Sequence, residues 1–181
     1  LLFAEDSGTF MTADGLQYFD NEQLAIINES VSMAEELVGN AYKMSVSQWR
    51  GLRYDVKTLA DLSSEEIVFG PYAQVIRYAK HRDSDMGFIA YDFYKICVQD
   101  HSVISLLNRS PEIRLFPFSL YIITHELIHI VRFRKFLQHS DASPEEKLAE
   151  EKRVFDKTHD ILSSVRLDGL ETVFEKILPP A

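Results

Sequence analysis

The sequence predicts one α+β domain, predominantly helical, with a small sheet packed on a single deeply buried helix. Three observations carry that expectation. The chain has 181 residues, 46% hydrophobic and 26% charged, which gives room for one sizeable core and is too apolar for a disordered chain. Seven Gly and six Pro are few for a turn-rich all-β fold. Finally, apolar residues recur at three- and four-residue intervals over long stretches, the period of amphipathic helices. No repeat, low-complexity run or Pro/Gly/Ser-rich linker divides residues 1–181, so the whole chain is expected to form a single domain.

Residues 1–19, with Gly8, Gly15 and scattered polar residues, read as an irregular lead-in. From Asn21 to Met44 the positions Leu24, Ile27, Val31, Ala34, Leu37, Val38 and Tyr42 mark one helical face. Ser63-Ser64-Glu65-Glu66 is the kind of sequence that caps a short helix, with Gly70-Pro71 to stop it. Two segments have strand character instead: Ala73–Ala79 and Phe88–Val98, both rich in β-branched and aromatic residues. In the second, Tyr94, Ile96 and Val98 alternate with Phe93, Lys95 and Cys97.

A helix is expected to begin near Phe116-Pro117 and to run from Phe118 to about Phe136. It is apolar on nearly every side up to Val131, as a central buried helix must be, and Arg132, Arg134 and Lys135 suit the negative end of its dipole. Ser140–Ser143 read as a loop. Ser143 is placed to cap a further helix, with Pro144 at its first position, running to about Val165. Asp168-Gly169 break the chain before a last amphipathic helix, Leu170 to Leu178.

Charge and cysteine content exclude several functions. With 19 basic and 28 acidic residues the net charge is −9, the wrong sign for a general binder of nucleic acid or anionic membrane. The single cysteine, Cys97, can form neither an internal disulfide nor a cysteine metal cluster, and with Trp49 it is expected in the core. Apolar runs break well before they could span a bilayer. The chain starts Leu1-Leu2 without Met, which leaves room for a removed signal peptide; a cytoplasmic location is the default expectation.

Chemistry concentrates in the segment His125-Glu126-Leu127-Ile128-His129. Residues four apart lie on one helical face, so both imidazoles can point at one divalent ion. Glu126 is rotated about 100° from His125, beside that ion, where it can take a proton from a metal-activated water. Zinc suits a nitrogen-rich site, and an open fourth position makes it catalytic. The flanking Ile122, Ile123, Ile130 and Val131 are uncharged, and polar groups set in such a helix need partners.

This segment resembles the active-site helix of the zincin metallopeptidases, which also carry uncharged residues around HExxH. The resemblance covers roughly residues 117–165 and implies a zinc peptidase, one zinc per chain, acting on a peptide or protein substrate. It also implies an antiparallel edge strand beside the helix, for which Ala73–Ala79 and Phe88–Val98 are the candidates. The metzincin extension does not fit, because Arg132 replaces its Gly and Lys135 its last His. In gluzincins the third ligand is a Glu on a later helix. On the helix after Ser143, Leu148, Val154, Phe155, Ile161, Leu162 and Val165 define an apolar face. Glu151 falls near its middle and Glu150 at its edge, so His125, His129 and Glu151 are the expected ligands, with Glu150 and His159 as alternatives. The gluzincin pattern also sets an Asp four residues after the ligand Glu; here that position is Phe155, with Asp156 next.

Other residues have candidate supporting roles. Tyr121, Tyr94 or His101 could stabilise an oxyanion, and Arg132 could bind a substrate carboxylate. His81 and His139 stand in polar surroundings and are expected to be solvated. Two other functions compete: a non-enzymatic binding module on a zincin scaffold, and a di-iron carboxylate protein using Glu126-xx-His129 with Asp156-xx-His159.

Overall fold

The computed structural model describes residues 16–82, 89–136 and 143–177, and over these the chain is α+β and mainly helical with a three-stranded mixed sheet. Helix α1 spans Asn21–Ala41 and opens with a capping box, in which Asp20 accepts from the Gln23 backbone and the Gln23 side chain accepts from the Asp20 N–H. Its buried residues are Ile27, Ala34 and Val38, as the periodicity predicts, and also Ser30, whose hydroxyl donates to the Ile27 carbonyl. A short helix α2 (Val46–Arg50) and strand β1 (Tyr54–Lys57) follow, neither anticipated by the sequence pattern.

The two expected strands form: β2 spans Ala73–Arg82, three residues longer than expected, and β3 spans Ile89–Val98, with Phe88 outside the described residues. The order is β1-β3-β2, with β1 parallel and β2 antiparallel to β3. The register pairs Val75 with Ile96 and Gln74 with Cys97, so the alternation sends Tyr94, Ile96 and Val98 into the core. The opposite face is not left to solvent, because Cys97 is buried too.

What covers that face is the segment around Glu66, where a short helix is expected and a turn is found. Ser63 N–H does bond the Glu66 carboxylate at 2.8 Å, as a capping residue's would. The other carboxylate oxygen, however, is held against the sheet by Tyr78 Oη and Lys95 Nζ, each at 2.5 Å. Gln74 and Gln99 donate to the Glu66 carbonyl as well. With its carboxylate and carbonyl committed to the sheet, the segment does not continue as a helix.

Helix α3 (Asp100–Arg109), also unanticipated, starts directly after β3. Buried Asp100 accepts from Phe19 N–H at 3.0 Å and Leu59 N–H at 2.9 Å, tying the lead-in and the chain after β1 to this junction. Helix α4 (Leu115–Phe136) is the centre of the molecule and touches α1, β2, β3 and the two later helices. Every residue from 117 to 131 is buried. Helix α5 (Pro144–Leu162) begins with the Ser143–Glu146 capping box and Pro144 in its first turn. Helix α6 (Leu170–Lys176) follows Gly169, whose φ of +91° suits glycine. Most of the lead-in, the loop before Ser143 and the side chains of His81 and His139 lie outside the described residues. Among the described residues, no helix is long and apolar enough to cross a membrane.

The Glu66 contacts generate a pH prediction. Hydrogen bonds from Lys95, Tyr78 and the Ser63 backbone hold its carboxyl down from the usual 4.5 to about 2. A depressed carboxyl contributes stability that is present above its unfolded value and is lost as pH falls through its folded one. Glu66→Gln should therefore be less stable at neutral pH and lose less between pH 4.5 and 2. Urea unfolding of both proteins across that range checks this; parallel curves of equal height would contradict it.

Candidate metal centre

The site is built where the middle of α4 faces the first half of α5. His125 and His129, one turn apart on α4, are 1% and 5% exposed. Their Nε2 atoms face each other at 3.2 Å. Glu151 on α5 reaches the same point, with Oε2 3.6 Å from His125 Nε2 and Oε1 3.4 Å from His129 Nε2. These three are the one group of three or more potential ligands found among the described residues. Their separations have a physical meaning: two ligands each about 2.0–2.1 Å from a tetrahedral zinc stand about 3.3 Å apart. The donor set of two imidazoles and a carboxylate therefore fits a zinc ion in both chemistry and spacing.

Each of the two histidines is held from behind. Phe133 stacks on His129 with ring centroids 5.7 Å apart, and Tyr94 of β3 stacks in turn on Phe133. His125 Nδ1 lies 3.4 Å from Thr158 Oγ1. Burial, reinforced by the neighbouring His129 and opposed by Glu151, pushes the His125 imidazole down to about 3, so it is neutral at ordinary pH and able to donate a lone pair. For Glu151, burial alone would raise the carboxyl, but the two imidazoles beside it outweigh that and hold the group well below the carboxylate range.

Glu150 and Glu151 divide the two roles that sequence alone leaves open. Glu150 is buried and takes both its oxygens to Arg132 of α4, with Nη2–Oε2 at 2.9 Å, while Arg153 approaches at 3.4 Å. Arg132, a candidate for binding a substrate carboxylate, is thus bonded to a carboxylate of its own chain. Glu151, a step further round α5, keeps 25% of its side chain exposed, so the group meets solvent at this carboxylate rather than at the histidines. Val154, Phe155, Ile161 and Leu162 are buried as expected, whereas Leu148 is 46% exposed; it lies in the second turn of α5, before the helix is covered.

The remaining candidates stand elsewhere. His159 is enclosed by Phe155, Phe174 and Tyr121 rather than turned to the histidine pair. His101 is bonded to the Val68 carbonyl and packs on Phe69. Tyr121 and Tyr94 are fully buried against other rings, Tyr121 edge-on to His159 and Phe174 and Tyr94 stacked on Phe133, which gives them packing roles. Since β3 is central, β2 is the edge strand that touches α4.

Glu126 is the unusual member. It is 1% exposed and its Oε1 accepts no hydrogen bond among the described residues. Burial raises its carboxyl above the ordinary value, so it is a stronger base than a solvated glutamate. Comparison with protein-family models, with curated proteins and with solved structures gives no match. The reading of the site therefore rests on its own geometry.

Sequence reasoning set Thr158 beside Glu151 without giving it a role, and passed over Phe133 and the Arg132–Glu150 pair. Two of them had a readable signal: Thr158 is seven residues, two helical turns, after Glu151, and Phe133 is four after His129. The ion pair generates a stability prediction. Arg132→Met removes the guanidinium bonded to both oxygens of buried Glu150, and should cost about 3 kcal/mol. Chemical denaturation measures it; an unchanged midpoint would contradict the clamp.

Proposed function

We propose that the protein is a zinc-dependent metallopeptidase of zincin type, with His125, His129 and Glu151 as ligands and Glu126 as the general base. The observation that carries this reading is the spacing of 3.2 to 3.6 Å among two imidazole nitrogens and a carboxylate, next to a buried glutamate with a free oxygen. A helical α+β fold with an edge strand beside the HELIH helix also suits the zincin resemblance.

Zinc held there would supply Lewis acidity toward a water and toward the scissile carbonyl. Glu126 Oε1 takes a proton from that water as its oxygen bonds to the carbonyl carbon. The same proton then passes from Glu126 to the amide nitrogen as the C–N bond breaks, which leaves a carboxylic acid and an amine. Raised basicity makes Glu126 suited to the first transfer. In this reading an extended peptide pairs with the outer edge of β2, the edge strand that touches α4.

The test is cleavage of a mixed peptide library by the zinc-loaded protein, read by mass spectrometry. Cleavage should stop on chelation, and Glu126→Gln should keep its zinc yet cut about 10²- to 10⁴-fold more slowly. A zinc-loaded wild type that cleaves nothing would favour the non-enzymatic scaffold, and cleavage unaffected by Glu126→Gln would remove the assigned base.

A further inference from the structure

The hydroxyl of Thr158 has two neighbours. Its Oγ1 lies 2.8 Å from the Val154 carbonyl oxygen, one turn back along α5, and 3.4 Å from His125 Nδ1. A carbonyl oxygen can only accept, so the hydroxyl proton goes to Val154 and the hydroxyl lone pairs face His125. The shared contact is satisfied when His125 carries its proton on Nδ1. Its Nε2, on the far side of the ring, then holds the lone pair that faces His129 Nε2 and Glu151.

We infer that Thr158 is the positioning residue for His125, a neutral hydroxyl acceptor that selects the metal-binding tautomer and fixes the ring's rotation. This deepens the zinc reading above and rests on it. Thr158 is 0% exposed and His125 1%, so water has little access to replace the hydroxyl. Since Thr158 and Glu151 are seven residues apart on α5, one helical face delivers both a ligand and the support for another ligand. Rotation of α5 would misplace the two together. The 3.4 Å contact is long for an N–H···O bond. An uncharged acceptor also polarises the imidazole less than a carboxylate does, so His125 is a weaker donor than a carboxylate-supported histidine.

Zinc affinity, measured by competition with a chromophoric chelator, tests this for the wild type, Thr158→Val and Thr158→Ser, each checked for fold by circular dichroism. Valine keeps the shape and removes the acceptor, and should weaken zinc binding about 10- to 100-fold; serine keeps the hydroxyl and should bind close to wild type. Wild-type affinity in Thr158→Val would overturn the role of Thr158 and leave the zinc reading intact. A wild type that binds no zinc would overturn both. Should the valine variant not fold, proton NMR of the zinc-loaded wild type decides. A slowly exchanging, downfield His125 Nδ1 proton with a cross-peak to Thr158 supports the inference, and one exchanging as fast as an exposed imidazole overturns it.

Discussion

Everything about this molecule turns on the burial of polar groups in α4. Fifteen consecutive residues of that helix, 117 to 131, are covered by other elements, and two histidines and a glutamate sit among them. A polar side chain taken from water without a partner costs several kcal/mol. The surrounding structure answers that cost for three of the four histidine ring nitrogens from outside α4, through Glu151 and Thr158 of α5. It leaves Glu126 Oε1 unanswered among the described residues. An unsatisfied buried carboxylate is tolerable where a reaction uses it, and the proposed role of Glu126 as base rests on that oxygen together with the motif.

Helix α5 meets α4 through three kinds of contact in sequence order. Glu150 clamps Arg132 just beyond the histidines. Glu151 turns toward the histidines themselves, and Thr158 backs His125 two turns later. The adjacent glutamates therefore do unlike things: one fixes how the helices dock, and the other completes the site that docking creates. On the opposite side the sheet presses Tyr94 against Phe133 and Phe133 against His129, so the strands reach the site through a stack of rings.

Much of this was legible in the sequence, for identifiable reasons. Long periodic stretches and local caps revealed α1, α4, α5 and α6, because both signals lie within a few residues of each other. The strands were legible from β-branched and aromatic runs. The turn at Glu66 was not, since what overrides its helix-start sequence comes from Tyr78 and Lys95, distant in the chain. Short β1 lacks a pattern strong enough to read, and α3, though amphipathic, spans only ten residues and has no side-chain N-cap to announce it. At the site, the phase of α5 separated Glu151 from Glu150. It did not reveal that Glu150 is the more buried of the two, because only the fold shows Arg132 waiting for it.

Metal content by elemental analysis, on the wild type and on Glu151→Ala and Glu150→Gln, tests the central claim most directly. The account predicts one zinc per chain in the wild type and in Glu150→Gln, and its loss in Glu151→Ala. Zinc kept by Glu151→Ala but lost from Glu150→Gln, two irons per chain, or a wild type that takes up no zinc when supplied with it would contradict the account.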